Sequence, residues 1–296
     1  MKTWSKPLQV LLLALVAAVG AWGASARAEE APTLATYGVD LVSDYVFRGN
    51  DVYWSVWSLS KAKHDAVNVS PAAQPSVTFF GPNGLSLNLW GSFAVANRED
   101  DTKKAFLGLG QNDELDYTLA YDWSNRLGAF TAGFIYYSYF GTAPAWSVNA
   151  APVTTEAMFK WGMPFLKAVN PTLAHYATAY PGMAYTALSF GGGETVVWGL
   201  NIGNGLMTPN GLMAGNTTAP VKHISGIQDV TAKLGVVLGD FTVAANAAIR
   251  PTPELVMGGY DSKGKYLDPT DPKGVALADY PSTIMWLTLS YGGSAK

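Results

Sequence analysis

Residues 43–49 read Ser-Asp-Tyr-Val-Phe-Arg-Gly and end a run of strand-like alternation that begins near Leu34. Along this run the apolar side chains share one parity: Ala35, Tyr37, Val39, Leu41, Tyr45 and Phe47. Small or polar side chains share the other parity: Thr36, Gly38, Asp40, Asp44 and Arg48. Because successive strand residues point to opposite faces, one face of the predicted strand is apolar and the other is charged. Such an apolar face packs on a core in a soluble sandwich and meets lipid in a membrane barrel.

Two-faced stretches of this kind recur along the chain and predict about twelve strands in all. The stretch from Glu114 to Ser124 alternates most regularly, with leucine, tyrosine and tryptophan on one parity and acids, threonine and serine on the other. The predicted connections mostly alternate between long and short, although Pro181-Gly182 is short where a long one is expected. An even strand number with alternating loop lengths is typical of bacterial outer-membrane barrels.

Aromatic residues on the apolar parity favour the barrel over the sandwich. Five of them fall at the end of the predicted strands that carries the short turns: Tyr37, Trp123, Phe130, Trp161 and Tyr291. Membrane barrels place aromatic girdles at the bilayer interface, whereas a sandwich has no reason to collect aromatics at one end. We therefore predict an all-β fold, a transmembrane up-and-down antiparallel β-barrel of about twelve strands.

The first 28 residues have the composition of a secretory leader. Lys2 and Lys6 precede an apolar stretch from Leu8 to Trp22, and Ala26-Arg27-Ala28 matches a cleavage site, with Ala24-Ser25-Ala26 as the alternative. We predict a signal peptide over residues 1–28 and an outer-membrane β-barrel over residues 29–296. The expected location is the bacterial outer membrane, with the lipid of that membrane as a partner.

Composition excludes several classes of function. Without the leader, 16 basic and 22 acidic residues remain, a net charge of −6, so there is no basic surface for nucleic acid. The chain has no cysteine, which excludes disulfides and thiolate chemistry. Charged residues make up only 14% of the chain while aromatics make up 12%, a poor balance for a surface that faces water.

The Ser-Asp-Tyr-Val-Phe-Arg-Gly motif resembles the proteobacterial outer-membrane barrel family described as TorF-type putative porins. Three further stretches fit the layout of that family in order. The first begins with Asp113–Tyr117 and ends with Tyr136–Tyr139, the second is Thr155–Ala157, and the third is Asn170–Leu173. The resemblance covers most of residues 34–291 and implies a barrel with a presumed transport function. It supplies no catalytic or ligand-binding residues.

No catalytic or metal-binding constellation is legible in the sequence. The histidines are His64, His175 and His223, and none has a serine or paired acids at a spacing that predicts a catalytic group. We expect His175 to face inward if Tyr176 and Tyr180 face lipid. Asp261, Asp268 and Asp271 share one loop without the spacing of a calcium loop. We predict that the protein is not an enzyme and binds no cofactor or metal.

The predicted lumen carries the remaining chemistry. We place seven acids and four bases on the inward parity: Asp40, Asp44, Glu114, Asp116, Asp122, Glu156 and Asp229, with Arg48, Lys160, Lys233 and Arg250. We expect Arg48 to meet acids on a neighbouring strand, with Glu114 or Asp116 as partner. Twelve strands lie between small barrels filled by side chains and large barrels with an aqueous channel.

The hypothesis for function is an outer-membrane porin or channel for passive diffusion of small hydrophilic solutes. The excess of acids over bases in the predicted lumen predicts a weak preference for cations. A non-conducting barrel with a structural or surface-interaction role is the alternative, and a barrel enzyme is a third class. The sequence leaves the solute and the oligomeric state open.

Overall fold

A computed structural model describes residues 33–48, 50–51, 71–95, 113–139, 153–178, 183–207, 224–252 and 283–295. The predicted leader, His64, His223 and the three aspartates of the last long loop lie outside these ranges. Fourteen strands and one short 3-10 helix (Pro82–Gly84) occur within them. The strands are β1 Ala35–Val42, β2 Val46–Phe47, β3 Asn50–Asp51, β4 Ala72–Phe80, β5 Leu85–Ala94, β6 Glu114–Asn125, β7 Gly128–Tyr139, β8 Val153–Gly162, β9 Thr172–Thr178, β10 Met183–Gly192, β11 Val196–Met207, β12 Ile224–Leu238, β13 Phe241–Ile249 and β14 Thr283–Ala295.

Twelve of the strands in the described ranges form one closed antiparallel barrel, which confirms the predicted fold. Neighbours in the ring follow chain order, and β14 returns to pair with β1 over the whole length of that strand. The two remaining strands, β2 and β3, form a separate small hairpin. None of the described helical residues forms a helix long and apolar enough to cross a bilayer.

The two ends of the barrel differ in their connections. The short-turn end carries the connections 81–84, 126–127, 193–195 and 239–240, together with 163–171. At the opposite, long-loop end the other consecutive barrel strands end and begin, and four residues separate β9 from β10 there in the sequence. The alternation predicted from the sequence is therefore present, with the predicted exception at 179–182 and a second one at the nine-residue connection 163–171.

Apolar side chains cover the outer face of the ring. Residues that are paired between neighbouring strands point to the same face of the sheet. The register therefore shows which residues of each strand lie on the same face as the apolar residues of β1. On the outer parity Met285 is 74% exposed, Phe134 65% and Leu234 61%, high values for large apolar side chains. The inner parity holds small and polar residues together with aromatics such as Trp90 and Trp286, and its polar side chains bond across strands as Asn246 does to the Thr288 hydroxyl at 2.9 Å.

An aromatic band surrounds part of the short-turn end. The rings of Trp123, Phe130 and Trp161 stack in sequence on three successive strands, with centroids 5.4 and 6.2 Å apart. Trp161 also donates its indole N–H to the Leu127 carbonyl oxygen at 2.9 Å, which ties the band to a turn. On the other side of the ring Tyr291 packs against Phe241 at 5.1 Å. These aromatics lie on the outer face at the end that the sequence predicted.

The first strand is shorter than its alternation predicts. It ends at Val42, and the chain then leaves the wall and turns into the lumen over residues 43–48, here called the inner segment. Tyr45 is therefore 5% exposed among interior side chains rather than on the lipid side, and Phe47 packs on the interior Tyr137. The prediction that both aromatics face lipid is wrong because the alternation continues past the end of the strand.

Strands β9 and β10 also differ in phase from the expectation. Tyr176 and Tyr185 are paired and both point inward, with ring centroids 6.2 Å apart. His175 consequently faces outward, where its Nδ1 lies 2.9 Å from the Thr186 hydroxyl oxygen. The expectation of an inward His175 is wrong because it assumed that the tyrosine beside it faces lipid.

Two turn glycines offer a matched test of the backbone geometry at the short-turn end. Gly193 has φ +97° and Gly239 has φ +64°, conformations that L-residues rarely adopt. A Cβ on Gly193 would collide with the Val196 carbonyl oxygen, whereas a Cβ on Gly239 would meet nothing within 4 Å. We expect Gly239→Ala to lower the free energy of unfolding by about 1 kcal/mol and Gly193→Ala to lower it by more. Urea unfolding in lipid vesicles checks this, and equal losses would contradict it.

Candidate functional site in the barrel interior

The inner segment crosses the lumen from one wall to the other. Ser43 is held to β14, since its N–H donates to the Leu287 carbonyl and its hydroxyl accepts from the Leu287 N–H, both at 2.9 Å. Five residues later Arg48 contacts β8, β9 and β10. In the ring β9 is six strands from β1 in either direction, so it lies opposite. An extended chain covers up to about 17 Å in five residues, which is enough for this crossing with the help of the long arginine side chain.

Arg48 forms a two-pronged ion pair with Glu156 of β8. Its two terminal nitrogens donate to the two carboxylate oxygens at 2.8 and 2.7 Å. The Tyr137 hydroxyl donates a third hydrogen bond to the same carboxylate at 2.7 Å. Glu156 is 6% exposed, so the ion pair lies inside the barrel. Bidentate arginine–carboxylate pairs of this kind fix orientation as well as adding energy. The expectation that Arg48 pairs with Glu114 or Asp116 is wrong, because the crossing carries it past them.

Three aromatic rings surround the same guanidinium. Its central carbon lies 4.5 Å from the Tyr176 ring centroid, 4.6 Å from that of Tyr185 and 4.7 Å from that of Phe47. Cations are attracted to aromatic faces at such distances, and more strongly where water is excluded. Arg48 adopts φ +50°. A left-handed backbone costs a residue other than glycine about 1–3 kcal/mol, so the contacts of the side chain offset a strained backbone.

Asp229 of β12 holds Tyr185 in place. Its carboxylate is 1% exposed and accepts from the Tyr185 hydroxyl at 2.8 Å, the Thr231 hydroxyl at 3.0 Å and the Asn201 amide at 3.3 Å. A Cβ on Gly203 would collide with the Tyr185 hydroxyl, so glycine is needed at this position.

A bulge in the same strand supplies a further contact to the inner segment. The register between β11 and β12 shifts at Gly203/Asn204 and leaves Gln228 as an extra residue. The Gln228 amide donates to the Arg48 carbonyl oxygen at 3.0 Å. Bulges of this kind re-aim side chains, and here one brings Gln228 into the interior beside Asp229.

Acids collect where the inner segment leaves the wall. Glu114 is 2% exposed and accepts from the Tyr45 hydroxyl at 2.9 Å. Asp116 follows two residues later on the same inner face, and Asp44 is buried as well. Asp113 accepts from the Ala94 N–H at 3.1 Å. This acidic group, defined as Asp44, Asp113, Glu114 and Asp116, lies at the long-loop end together with Glu156 and Asp229.

The other charged residues assigned to the lumen also lie on the inner parity. Asp40 is half-buried two residues before the end of β1, Lys233 is half-buried near the middle of β12, and Lys160 is half-buried closer to the short turns. Asp122 is exposed near the short-turn end, where it accepts from the hydroxyls of Ser86 and Thr131. Arg250 is 3% exposed directly after β13, at the long-loop end. The interior is therefore acidic at the long-loop end and mixed in charge towards the other end.

Sequence reasoning missed the uncharged partners of Arg48. Tyr137 lies on the polar parity of its strand in the sequence, and this position indicates an interior role. Tyr176 and Tyr185 carried no such sign, because the phases of their strands were ambiguous. Gln228 faces the interior through the bulge, which strict alternation does not foresee.

The described residues contain no group of three or more histidine, aspartate or glutamate side chains placed to hold a metal ion. The interior instead offers paired carboxylates, tyrosine hydroxyls and aromatic faces. Such groups recognise hydrated or organic cations by charge, hydrogen bonds and ring contact.

Removing the guanidinium tests the ion pair. Arg48→Ala leaves the Glu156 carboxylate buried without its counter-charge, so we expect the free energy of unfolding to fall by about 3 kcal/mol. Glu156→Gln should also destabilise the barrel. In the Glu156→Gln background, Arg48→Ala should lower the free energy of unfolding by less than it does in the unmodified protein. Urea unfolding of the refolded protein in lipid vesicles, followed by tryptophan fluorescence, measures each value.

Lys233→Ala is the matched control for this cycle. It removes a base from the inner face, but the ion pair found among the described residues does not involve it. We expect a change within about 0.5 kcal/mol. If the double variant loses as much free energy of unfolding as the two single variants together, the Arg48 and Glu156 side chains are not coupled.

Comparison with known proteins adds a distant structural likeness. No protein-family model matches the chain, and no curated protein matches it. Seventeen chains among the solved structures do match. One is OmpT (in-vitro folded), an outer membrane protein of Vibrio cholerae, at 10% identity and a TM-score of 0.31, over 92% of this chain and 100% of that one. At this TM-score the likeness says nothing about the function of the chain.

Proposed function

We propose that this protein is an outer-membrane channel for the passive diffusion of small hydrophilic solutes, with a weak preference for cations and a constriction at the inner segment. The observation that carries the proposal is the contrast between the faces of the ring. Large apolar side chains are exposed on the outside, while seven acids and four bases lie on the inner parity of the wall or on the inner segment. A closed barrel with an apolar exterior suits a bilayer, and a charged interior suits water and solutes.

The charge distribution supports the cation preference. Among the described residues, six buried acids lie at the long-loop end, namely the acidic group with Glu156 and Asp229, and the bases beside them are Arg48 and Arg250. Arg48 is already paired with Glu156. Charge at a narrow passage acts on a permeating ion within a screening length of about 8 Å at physiological salt. The remaining negative charge then attracts cations at this end.

The inner segment also favours a second function. A chain that crosses the lumen and is bonded on both sides restricts flow, and a filled barrel would serve as a structural or surface-interaction protein. We rank this second because the charged interior behind an apolar exterior favours a barrel that carries water and solutes. Catalysis is not proposed, since His175, the histidine within the described ranges, faces outward.

Three measurements test the proposed function. The protein should fractionate with outer membranes and migrate faster in gels before heating than after, because a closed hydrogen-bonded ring resists detergent. Planar bilayers should then show discrete conductance steps. Correctly folded protein that gives no channel events would move the assignment to the non-conducting alternative.

Ion selectivity gives a sharper prediction. Reversal potentials in a salt gradient should show a modest cation preference that shrinks as salt rises, since screening shortens the reach of the charges. Neutralising Asp44, Glu114 and Asp116 together should reduce that preference.

The matched control neutralises acids outside the acidic group. Asp240→Asn with Glu194→Gln removes two exposed acids in turns at the opposite end of the barrel. We expect selectivity in this variant to stay near that of the unmodified protein. Anion selectivity of the unmodified protein would contradict the proposal.

A further inference from the structure

We propose that the inner wall opposite β1 is a binding site for guanidinium compounds, which the protein's own Arg48 occupies as a tethered ligand in this structure. The site consists of Glu156 and Tyr137, which hold the charge, and of Tyr176, Tyr185 and Asp229, which form the aromatic side. This inference rests on the proposed channel function and names the class of solute that the channel selects. A solute with a free guanidinium group takes the place of Arg48 and passes its constriction.

The wall supplies the site without help from the inner segment. Tyr137 and Glu156 lie on adjacent strands and bond to each other at 2.7 Å. Tyr185 is fixed by Asp229 at 2.8 Å and accepts from the Asn201 amide at 3.0 Å. Tyr176 packs against Tyr185 from the neighbouring strand. Because these contacts join wall residues to one another, the carboxylate and both rings keep their positions when Arg48 leaves.

The geometry selects a planar fork over a point charge. Both oxygens of Glu156 are bonded by separate nitrogens of one guanidinium, at 2.7 and 2.8 Å. The two wall tyrosines lie at nearly equal distances, 4.5 and 4.6 Å, from the central carbon of that group. An ammonium group has no second nitrogen to complete the fork and stacks less well on rings. The site therefore prefers guanidinium to ammonium compounds of similar size.

The inner segment is attached in a way that permits exchange. Beyond Arg48 itself, its contacts with the walls include Ser43 on Leu287, Tyr45 on Glu114 and the Gln228 bond to the Arg48 carbonyl. The left-handed backbone at Arg48 opposes this arrangement. An arriving guanidinium reproduces the ion pair and ring contacts of Arg48 and releases the strained backbone. The site also lies at the long-loop end, beside the acidic group that attracts cations.

Because Arg48 occupies the site and is attached to the chain, it lowers the apparent affinity of the site for a free guanidinium compound. The apparent dissociation constant equals the intrinsic value divided by the fraction of molecules whose site is vacant. If Arg48 occupies the site in nine of ten molecules or more, removing it strengthens binding at least tenfold, roughly by the inverse of the vacant fraction. Arg48→Ala is therefore expected to bind free guanidinium more tightly than the unmodified protein does.

Calorimetric titration of refolded protein in detergent micelles tests this, with methylguanidinium as probe and methylammonium as the comparison. We expect Arg48→Ala and Arg48→Gln to bind methylguanidinium at least tenfold more tightly than the unmodified protein, and more tightly than they bind methylammonium. Adding Glu156→Gln to either variant should abolish the gain. Lys233→Ala, which removes a base elsewhere on the inner face, should leave binding as it is. Equal affinity in the variants and the unmodified protein, or binding that survives Glu156→Gln, would overturn the proposal.

A second readout keeps Arg48 in place and uses the absence of cysteine from the chain. In a Val46→Cys variant the single thiol sits on the inner segment, so displacement of Arg48 should speed its modification by a water-soluble thiol reagent. Methylguanidinium should raise that rate several-fold and methylammonium should not. An unchanged rate would count against the proposal.

Both binding readouts are independent of conductance. A conducting protein without guanidinium binding would refute the site and leave the channel intact. Binding in a protein that does not conduct would refute the channel instead.

Discussion

Closure of the ring by β1 and β14 is the constraint on which the rest of the structure depends. Antiparallel pairing from Ala35↔Ala295 to Val42↔Thr288 joins the first strand to the last, so the sheet has no open edge. Backbone groups in the wall find partners on both sides, which is what a bilayer interior demands. Closure also turns simple alternation into an inside and an outside. Without it, the acids of the inner parity would lie on an ordinary sheet surface.

Enclosure explains why the interior charges are organised rather than scattered. A carboxylate removed from water is costly unless it is paired and hydrogen-bonded. Glu156 meets this requirement with Arg48 and Tyr137, and Asp229 meets it with three neutral donors. Gly203 and the bulge at Gln228 make room for the second arrangement. Each of these two acids is thus bonded to side chains from other parts of the barrel.

The sequence predicted the wall well and the interior poorly, for a common reason. Period-two alternation shows which side chains of a strand share a face. In a closed ring every strand has one face inside and one outside, so this information is enough to locate the barrel strands and their inward charges. The same alternation continues through Tyr45 and Phe47 after the strand has ended, so it wrongly extended the wall. Periodicity also carries no information about which distant residue a side chain meets. Glu156 lies 108 positions from Arg48, and no local pattern connects them. His175 was misplaced because a tyrosine suits lipid and lumen equally well.

The bonds between Ser43 and Leu287 have a consequence for the order in which the molecule is built. The two residues are 244 positions apart in the chain, so these contacts exist only once nearly the whole chain has been brought together. Contacts of such separation form late, because the intervening loop must close first. A growing sheet that still lacks β14 leaves the Ser43 end of the inner segment without its anchor. The Ser43 end of the crossing is therefore fixed only when β14 closes the ring, so an anchored inner segment marks a finished barrel.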